Sequence, residues 1–404
     1  MVSELIEVEG HIIDSLILAK VMDRILAAGA DYEVVEVQIG KTNTDASRAR
    51  LNVTAADDST LEALLEELQV HGANRVEVVD ADLVEADLDG VLPEGFYSTT
   101  NLPTAVRVAG SWVEVVNPEM DCGIVVDPDS MTARTVPMHR IRRGDRTVVG
   151  TVGVRVTTQA RPRDAASFEF MTSDVSSEKP KAVIVAEVTQ RLRAAKERGV
   201  KVLAVCGPAV VHTGASADLA ALVRGGWVDV LFAGNGFATH DMESNVLGTS
   251  LGVSVDAGTN VEHGHSNHLR VINEVRRHGS IAAAVEAGYV TGGVMYECVV
   301  GGVPFVLAGS VRDDGPLPDV MANVVEAVDR MRELIDGVGV ALMLSSTLHG
   351  IATGNILPSW VETFCVDINQ AVVTKLADRG SHQTIGIVTD VGLFLRSLAA
   401  ELLP

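Results

Sequence analysis

The sequence predicts an α/β protein: a C-terminal doubly wound parallel sheet of Rossmann-like type, preceded by a small α/β domain and a β-rich module. Three observations predict it. Hydrophobic residues fill 47% of the 404 positions but aromatics only 4%. A core of Val, Ala and Leu suits parallel strands covered by helices on both faces. From residue 181 onward, short apolar runs alternate with helix-length segments, the rhythm of βαβ units. Before that point the pattern differs, and the chain is too long for one ordinary core, so separate domains are expected over 1–90, 91–165 and 180–404.

Within 1–90, "LILAKVMDRILAAG" (16–29) has helical spacing and a Gly stop, and "DYEVVEVQIG" (31–40) alternates like a strand. "STLEALLEELQVHGA" (59–73) reads as a second helix opening on Ser59 as cap, and "NRVEVVDADL" (74–83) as a second strand. Together they predict a small sandwich of β-α-β character. Over 91–165, runs such as "AVRVAGSWVEVV", "CGIVVDP" and "RTVVGTVGVRVTT" alternate between Pro, Gly and Asp breaks, as in a β-rich module. The polar stretch 158–180 reads as the linker. Beyond it, strands are expected at 201–206, 228–233, 303–308, 338–344, 361–366 and 384–388, with Cys298–Val311 read as buried strand.

The formal net charge of −22 repels nucleic acid and anionic membranes, so neither is expected as a partner. The opening "MVSELIEVEGHIID" lacks the basic and apolar blocks of a signal peptide, and no apolar run is long enough to span a bilayer. Cys122, Cys206, Cys298 and Cys365 form no CxxC pair and read as reduced, buried thiols of a cytoplasmic protein.

Open parallel sheets bind ligands beyond the carboxyl ends of their strands. Five successive strand ends here carry small or hydrogen-bonding residues: Gly234-Asn235-Gly236, Gly309 to Gly315, Ser345 to Gly350, Asp367-Ile368-Asn369 and Thr389-Asp390. Gly234 and Gly236 open a Gly-x-Gly-x-x-Gly fingerprint that fails at Thr239, so the segment is either a phosphate cradle or a plain turn. "SSTLHG" is a helix entry whose free N–H groups either favour an anion or are merely capped. Asp367 is placed either to hold ribose hydroxyls or to cap a helix. Asp314, in "AGSVRDDGPLPD", lies either in a solvated loop or where it can take a proton from an ammonium group. Asp241 and Glu243 are either ordinary helix charges or contacts for a cationic substrate, and His265 with Asn267 in "VEHGHSNHLR" either bind a substrate carboxylate or serve packing. The His spacing there is no closed zinc pattern, so no metal is expected.

The strings "AGNGFATHDME", "EHGHSNHL", "AGSVRDDGPLPDV", "SSTLHG" and "GSHQTIGIVTDVG" resemble the archaeal-type ornithine cyclodeaminase family, whose N-terminal portion is the LOR/SDH conserved region. The family's C-terminal fold is similar to the deoxyhypusine synthase group. The resemblance implies conversion of L-ornithine to L-proline and ammonia with NAD as a recycled hydride carrier. It also implies an NAD site at Asn235, Gly236, Asp314, Ser346, Thr347, Leu348, His349, Asp367, Asp390 and Val391, all on the strand ends above. Asp314 first, and then His349, are the candidate proton carriers, and a homo-oligomer, dimer or tetramer, is expected. Two other readings stay open: an NAD-dependent amino-acid or polyamine enzyme of saccharopine or deoxyhypusine type, and a non-catalytic NAD-binding regulator.

Overall fold

The structure is a computed structural model that describes the chain except residues 14–15, 43–44, 77–78, 158–174, 177–180, 251–252, 255–265, 314, 380–383 and 404. The chain divides into two compact units, Met1–Thr172 with Asn355–Trp360, and Ser173–Gly354 with Val361–Pro404.

The first unit begins β1 (Val2–Gly10), α1 (Ile17–Ala27), β2 (Asp31–Gln38), β3 (Ser47–Ala55), α2 (Asp58–Gln69), β4 (Ala73–Arg75). The sheet order is β2-β3-β1-β4 with every pair antiparallel, a split βαβ arrangement. In β3 every second residue is buried, so Ala49, Leu51 and Val53 meet Val21 and Ile25 of α1 and Leu61, Leu64 and Leu68 of α2 in one core. The cap of α2 is Asp57, whose carboxylate accepts the Thr60 N–H at 2.8 Å, rather than Ser59, which lies inside the first turn.

A second sheet follows: β5 (Asp82–Glu85), β6 (Thr104–Val108), β7 (Ser111–Val116), β8 (Gly123–Asp127), β9 (Thr132–Val136), β10 (Arg146–Val149) and β11 (Val154–Val156), in the order β11-β6-β7-β9-β8-β10-β5. The strand expected over 74–83 is thus two short ones: Ala73–Arg75 pairs with β1, whereas Asp82–Glu85 pairs with β10. Each satisfies its backbone groups in a different sheet, so the single run splits between two partners.

The second unit holds an eight-stranded sheet, every neighbouring pair parallel. Its elements are β12 (Val175–Ser176), α3 (Lys181–Arg198), β13 (Lys201–Cys206), α4 (Ala209–His212), α5 (Ser216–Arg224), β14 (Val230–Gly234) and α6 (Asn235–Leu247). A small ribbon of β15 (Thr249–Ser250) and β16 (Val253–Ser254) comes next, then α7 (Asn267–His278), α8 (Ile281–Glu286), α9 (Val294–Gly301), β17 (Phe305–Ala308) and β18 (Val320–Met321). The unit closes with α10 (Val324–Leu334), β19 (Val338–Leu344), α11 (Leu348–Ile356), β20 (Glu362–Asp367), α12 (Gln370–Arg379), β21 (Thr384–Val388) and α13 (Val391–Leu402). β13, β19 and β21 keep the expected bounds, and the other expected strands shift by one or two residues. The run Cys298–Val311 is a strand only over Phe305–Ala308. Its first four residues finish α9, which stops where Gly302 turns left-handed at φ 65°. Of the stretch expected as a linker, only Val175–Ser176 is described within 158–180, and it pairs in parallel with β21.

The strand order β12-β21-β20-β19-β13-β14-β17-β18 places β13 in the middle. From β13 the chain runs outward through β14, β17 and β18. It then returns to β13's other side and runs outward again through β19, β20 and β21. The winding reverses between β13 and β19, and such a switch point is where open sheets of this kind bind ligands.

Candidate functional site

Two glycines shape the switch point. A Cβ on Gly207, the first residue after β13, would stand 1.8 Å from the Ser345 carbonyl oxygen. Only glycine lets the loop after β19 close over the end of β13. Ser345 takes a left-handed backbone (φ 49°) to make that approach, and Ser346 behind it is buried. At Gly234 a Cβ would come within 2.9 Å of the His349 Cε1. The incomplete fingerprint therefore has a local cause: Gly234 makes room for an imidazole ring carried over from α11. Gly236 faces Pro208, whose Cγ would lie 3.3 Å from an added Cβ, so α4 and α6 start side by side.

His349 thus sits among the ends of β14 and β17, with the Ala308 carbonyl facing its ring. Burial pushes its pKa below the ordinary histidine value, against smaller upward pulls from that carbonyl and from Asp313. Asn235 is buried, and its Oδ1 accepts the Leu317 N–H at 3.0 Å, fixing the loop after β17 to the start of α6. Leu348 is exposed at the α11 entry. The first amides of that helix have no carbonyl partner one turn earlier and suit a phosphate. Asp367 Oδ1 accepts the Asn369 N–H at 2.8 Å, whereas Asn369 itself accepts the Ala371 N–H at the start of α12. Asp367 Oδ2 has no partner among the described residues. Asp390 caps α13 through the Leu393 N–H at 2.8 Å, and Val391 behind it is buried. Asp314 and His265 lie outside the described residues.

The two acids of α6 separate. Asp241 is fully buried and accepts three donors: the Val294 N–H at 3.0 Å, the Met295 N–H at 2.8 Å and the Ser216 hydroxyl. It caps α9 from a neighbouring helix, which leaves its carboxylate committed to the fold rather than to a cation. Burial raises its pKa despite those bonds. Glu243, equally buried, lies in a polar cluster. Its Oε2 meets His240 Nδ1 at 2.8 Å, and its Oε1 accepts the Thr249 hydroxyl at 2.8 Å. Thr249 Oγ1 in turn accepts from Asn267 Nδ2 at 2.9 Å. The His212 ring stands edge-on to His240 with centroids 4.9 Å apart, its Nδ1 2.7 Å from the Ser250 hydroxyl, and the His268 ring lies 6.0 Å from His240. Burial and the neighbouring His240 lower the His212 pKa, more than Glu243 raises it.

The sequence marks Glu243 and Asn267 only as separate candidates, one for a cationic group and one for a carboxylate; the structure brings them into one hydrogen-bonded cluster with His240, which the sequence does not single out, nor His212 or Gly207. Gly207 was legible as the small residue after the first strand of the sheet, the usual place for a close backbone approach. The two histidines stand apart in sequence, and only the packing of α4 on α6 brings them together. Among the described residues, no three of His, Cys, Asp and Glu converge as metal ligands.

Residues 186–398 match the family described as arginine dihydrolase ArgZ-like, C-terminal, Rossmann fold, and residues 103–185 its first region. Residues 3–102 match the LOR/SDH bifunctional enzyme conserved region. The ornithine cyclodeaminase of Methanocaldococcus jannaschii is 53% identical over 98% of this chain and 95% of its own length. The apo structure of ArgZ, a cyanobacterial arginine dihydrolase, superposes with TM-score 0.88 at 39% identity, covering 99% of this chain and 58% of that one. A ternary complex of AgrE with ornithine and NAD+ superposes with TM-score 0.54 at 40% identity, covering 99% and 57%.

Proposed function

The chain belongs to the archaeal-type ornithine cyclodeaminase family, and from that premise we propose that it converts L-ornithine to L-proline and ammonia with NAD as cofactor. The observation that carries the reading is the switch point itself. Gly207 and Ser345 form a close backbone cradle beside the α11 entry, whose first-turn amides have no carbonyl one turn earlier, and acids stand at the ends of β20 and β21. These residues fit a dinucleotide. In this reading the amides of Ser346, Thr347, Leu348 and His349 meet the phosphates, Asp367 and Asp390 face sugar hydroxyls, and Asn235, Gly236, Asp314 and Val391 complete the contacts. When bound, NAD supplies a hydride acceptor that takes hydride from the substrate's Cα and later returns it.

The chain's own tasks are orientation, exclusion of water and proton transfer. Ornithine must lose a proton from its α-ammonium group before hydride can leave. Its δ-ammonium must also be neutral before that nitrogen can attack the same carbon. His349, kept neutral by burial, suits the first task, with Asp314 as the other candidate. The acidic chain favours approach of a dicationic amino acid. In the same reading the enzyme is cytoplasmic, supplies proline and works as a homo-oligomer, with a small α/β domain over 1–90, a β-rich module over 91–165 and the catalytic domain over 180–404. Incubation with ornithine and NAD, followed by measurement of proline and ammonia, tests the function. Stoichiometric formation of both is expected; oxidation of NADH when lysine and a keto acid are supplied with it, and no proline from ornithine, would point to saccharopine-type chemistry instead.

A further inference from the structure

We propose that His240, oriented by Glu243, accepts the proton of the substrate's δ-ammonium group and so frees that amine to close the ring. The inference rests on the ornithine reading and deepens it.

The geometry is that of a buried base with its orienting acid. A carboxylate oxygen can only accept, so the 2.8 Å contact to Glu243 Oε2 fixes the His240 proton on Nδ1. That leaves Nε2 with its lone pair free, and among the described residues nothing else bonds it. Glu243 is held in turn by Thr249, and Thr249 by Asn267, so the carboxylate cannot swing away. A plain structural ion pair would not need this chain of support around an imidazole whose second nitrogen has no partner among the described residues. Among the described residues, the charged and titratable groups facing His240 are Glu243 on its own helix, His212 from α4 and His268 from α7. Burial and the neighbouring His240 lower the His212 pKa, and Glu243 is the only carboxylate beside His240 among the described residues.

Position supports the assignment. His240 lies five residues along α6 from Asn235 at the strand end, about 7–8 Å by helical rise. An extended ornithine side chain spans roughly 5 Å from Cα to its δ-nitrogen by ordinary bond lengths. Together with a hydrogen bond of about 3 Å, that length matches the axial rise from the strand end to His240, and the substrate is taken to run along α6 in this way. The step balances: the N–H bond of the δ-ammonium breaks, Nε2 gains the proton, and ammonia carries that proton off as ammonium when it leaves.

The test compares wild type with His240→Asn across pH, alongside NAD affinity and melting temperature for each. Proline formation by the wild type must be seen first; its absence would overturn the ornithine reading itself. Given that activity, His240→Asn is expected to lose about 10²-fold or more in kcat near pH 7 with NAD affinity unchanged within about threefold. Its residual rate should climb about tenfold per pH unit toward pH 9, as solution increasingly supplies the free amine, whose pKa is about 10. A merely structural histidine would not produce that slope. Glu243→Gln, which can present an N–H to Nδ1 and move the ring proton to Nε2, should show the same slope even if His240→Asn fails to fold. Near-normal turnover, or a uniform loss with the wild-type pH profile in both variants, would overturn the proposal.

Discussion

Replacing Asp241 by alanine strips acceptors from three donors in a fully buried place. Two are backbone amides at the start of α9, Val294 and Met295, which have no intrahelical partners. The third, the Ser216 hydroxyl, can rotate to another acceptor. Stranding two buried amides costs about 1–3 kcal/mol each, or roughly 2–6 kcal/mol together. Against this, removing the carboxylate relieves the desolvation that raises its pKa. The net loss is therefore about 2–4 kcal/mol, toward the lower half of the gross range. In a unit of this size each kcal/mol lowers the melting temperature by about 2–4 °C, so a fall on the order of 10 °C is expected. Differential scanning calorimetry reads it directly. With substrate held by other residues, KM for ornithine measured well below the new melting temperature should change little. An unchanged melting temperature with a tenfold or greater rise in KM would refute the capping role and return Asp241 to the substrate.

Gly207→Ala places a methyl group against the Ser345 carbonyl, forcing the loop over β13 to move; NAD affinity, followed by fluorescence titration, should fall at least about tenfold, and an unchanged affinity would remove the cradle from the account. Asp367→Ala should weaken NAD by about tenfold or more, the worth of a hydrogen bond to a charged group, while the melting temperature shifts by only a few degrees. Stability should also depend on pH through His212 and His349. Both have folded-state pKa values below the ordinary one, so the folded chain binds fewer protons than the unfolded chain as pH falls. Their contribution is complete above about pH 6.5 and is lost below it, so the melting temperature should drop between pH 7 and pH 5; a flat profile would contradict the burial of both rings.

Much of this architecture was legible in the chain. β13, β19 and β21 are short, mostly apolar runs, each followed by a Gly, Ser or Thr that ends it, and their sequence pattern marks them. The strand ends that form the candidate site could be read off once the sheet was taken as parallel, because chemistry collects where strands stop. Neither β1 nor β3 is among the strands the sequence predicts: glutamates break the apolar signal of β1, and the buried residues of β3 alternate with Arg48, Arg50 and Asn52. Packing supplied what periodicity could not. The purpose of Gly234 is visible only when His349 arrives from a helix more than a hundred residues later. Asp241 and Glu243 look alike on one helix, yet one meets α9 and the other meets His240 and Thr249.

The central claim is that hydride leaves the substrate's Cα and comes back to the same carbon within one active site. The reaction has no net oxidation, so the site must hold reduced cofactor and cyclic imine together, away from water, until the return step. Ornithine deuterated at Cα, incubated in ordinary water with catalytic NAD, tests this most directly. The account expects proline that keeps its deuterium at Cα, with little crossover when labelled and unlabelled ornithine are mixed. Proline whose label has washed entirely into water would contradict it and favour elimination without a redox cofactor.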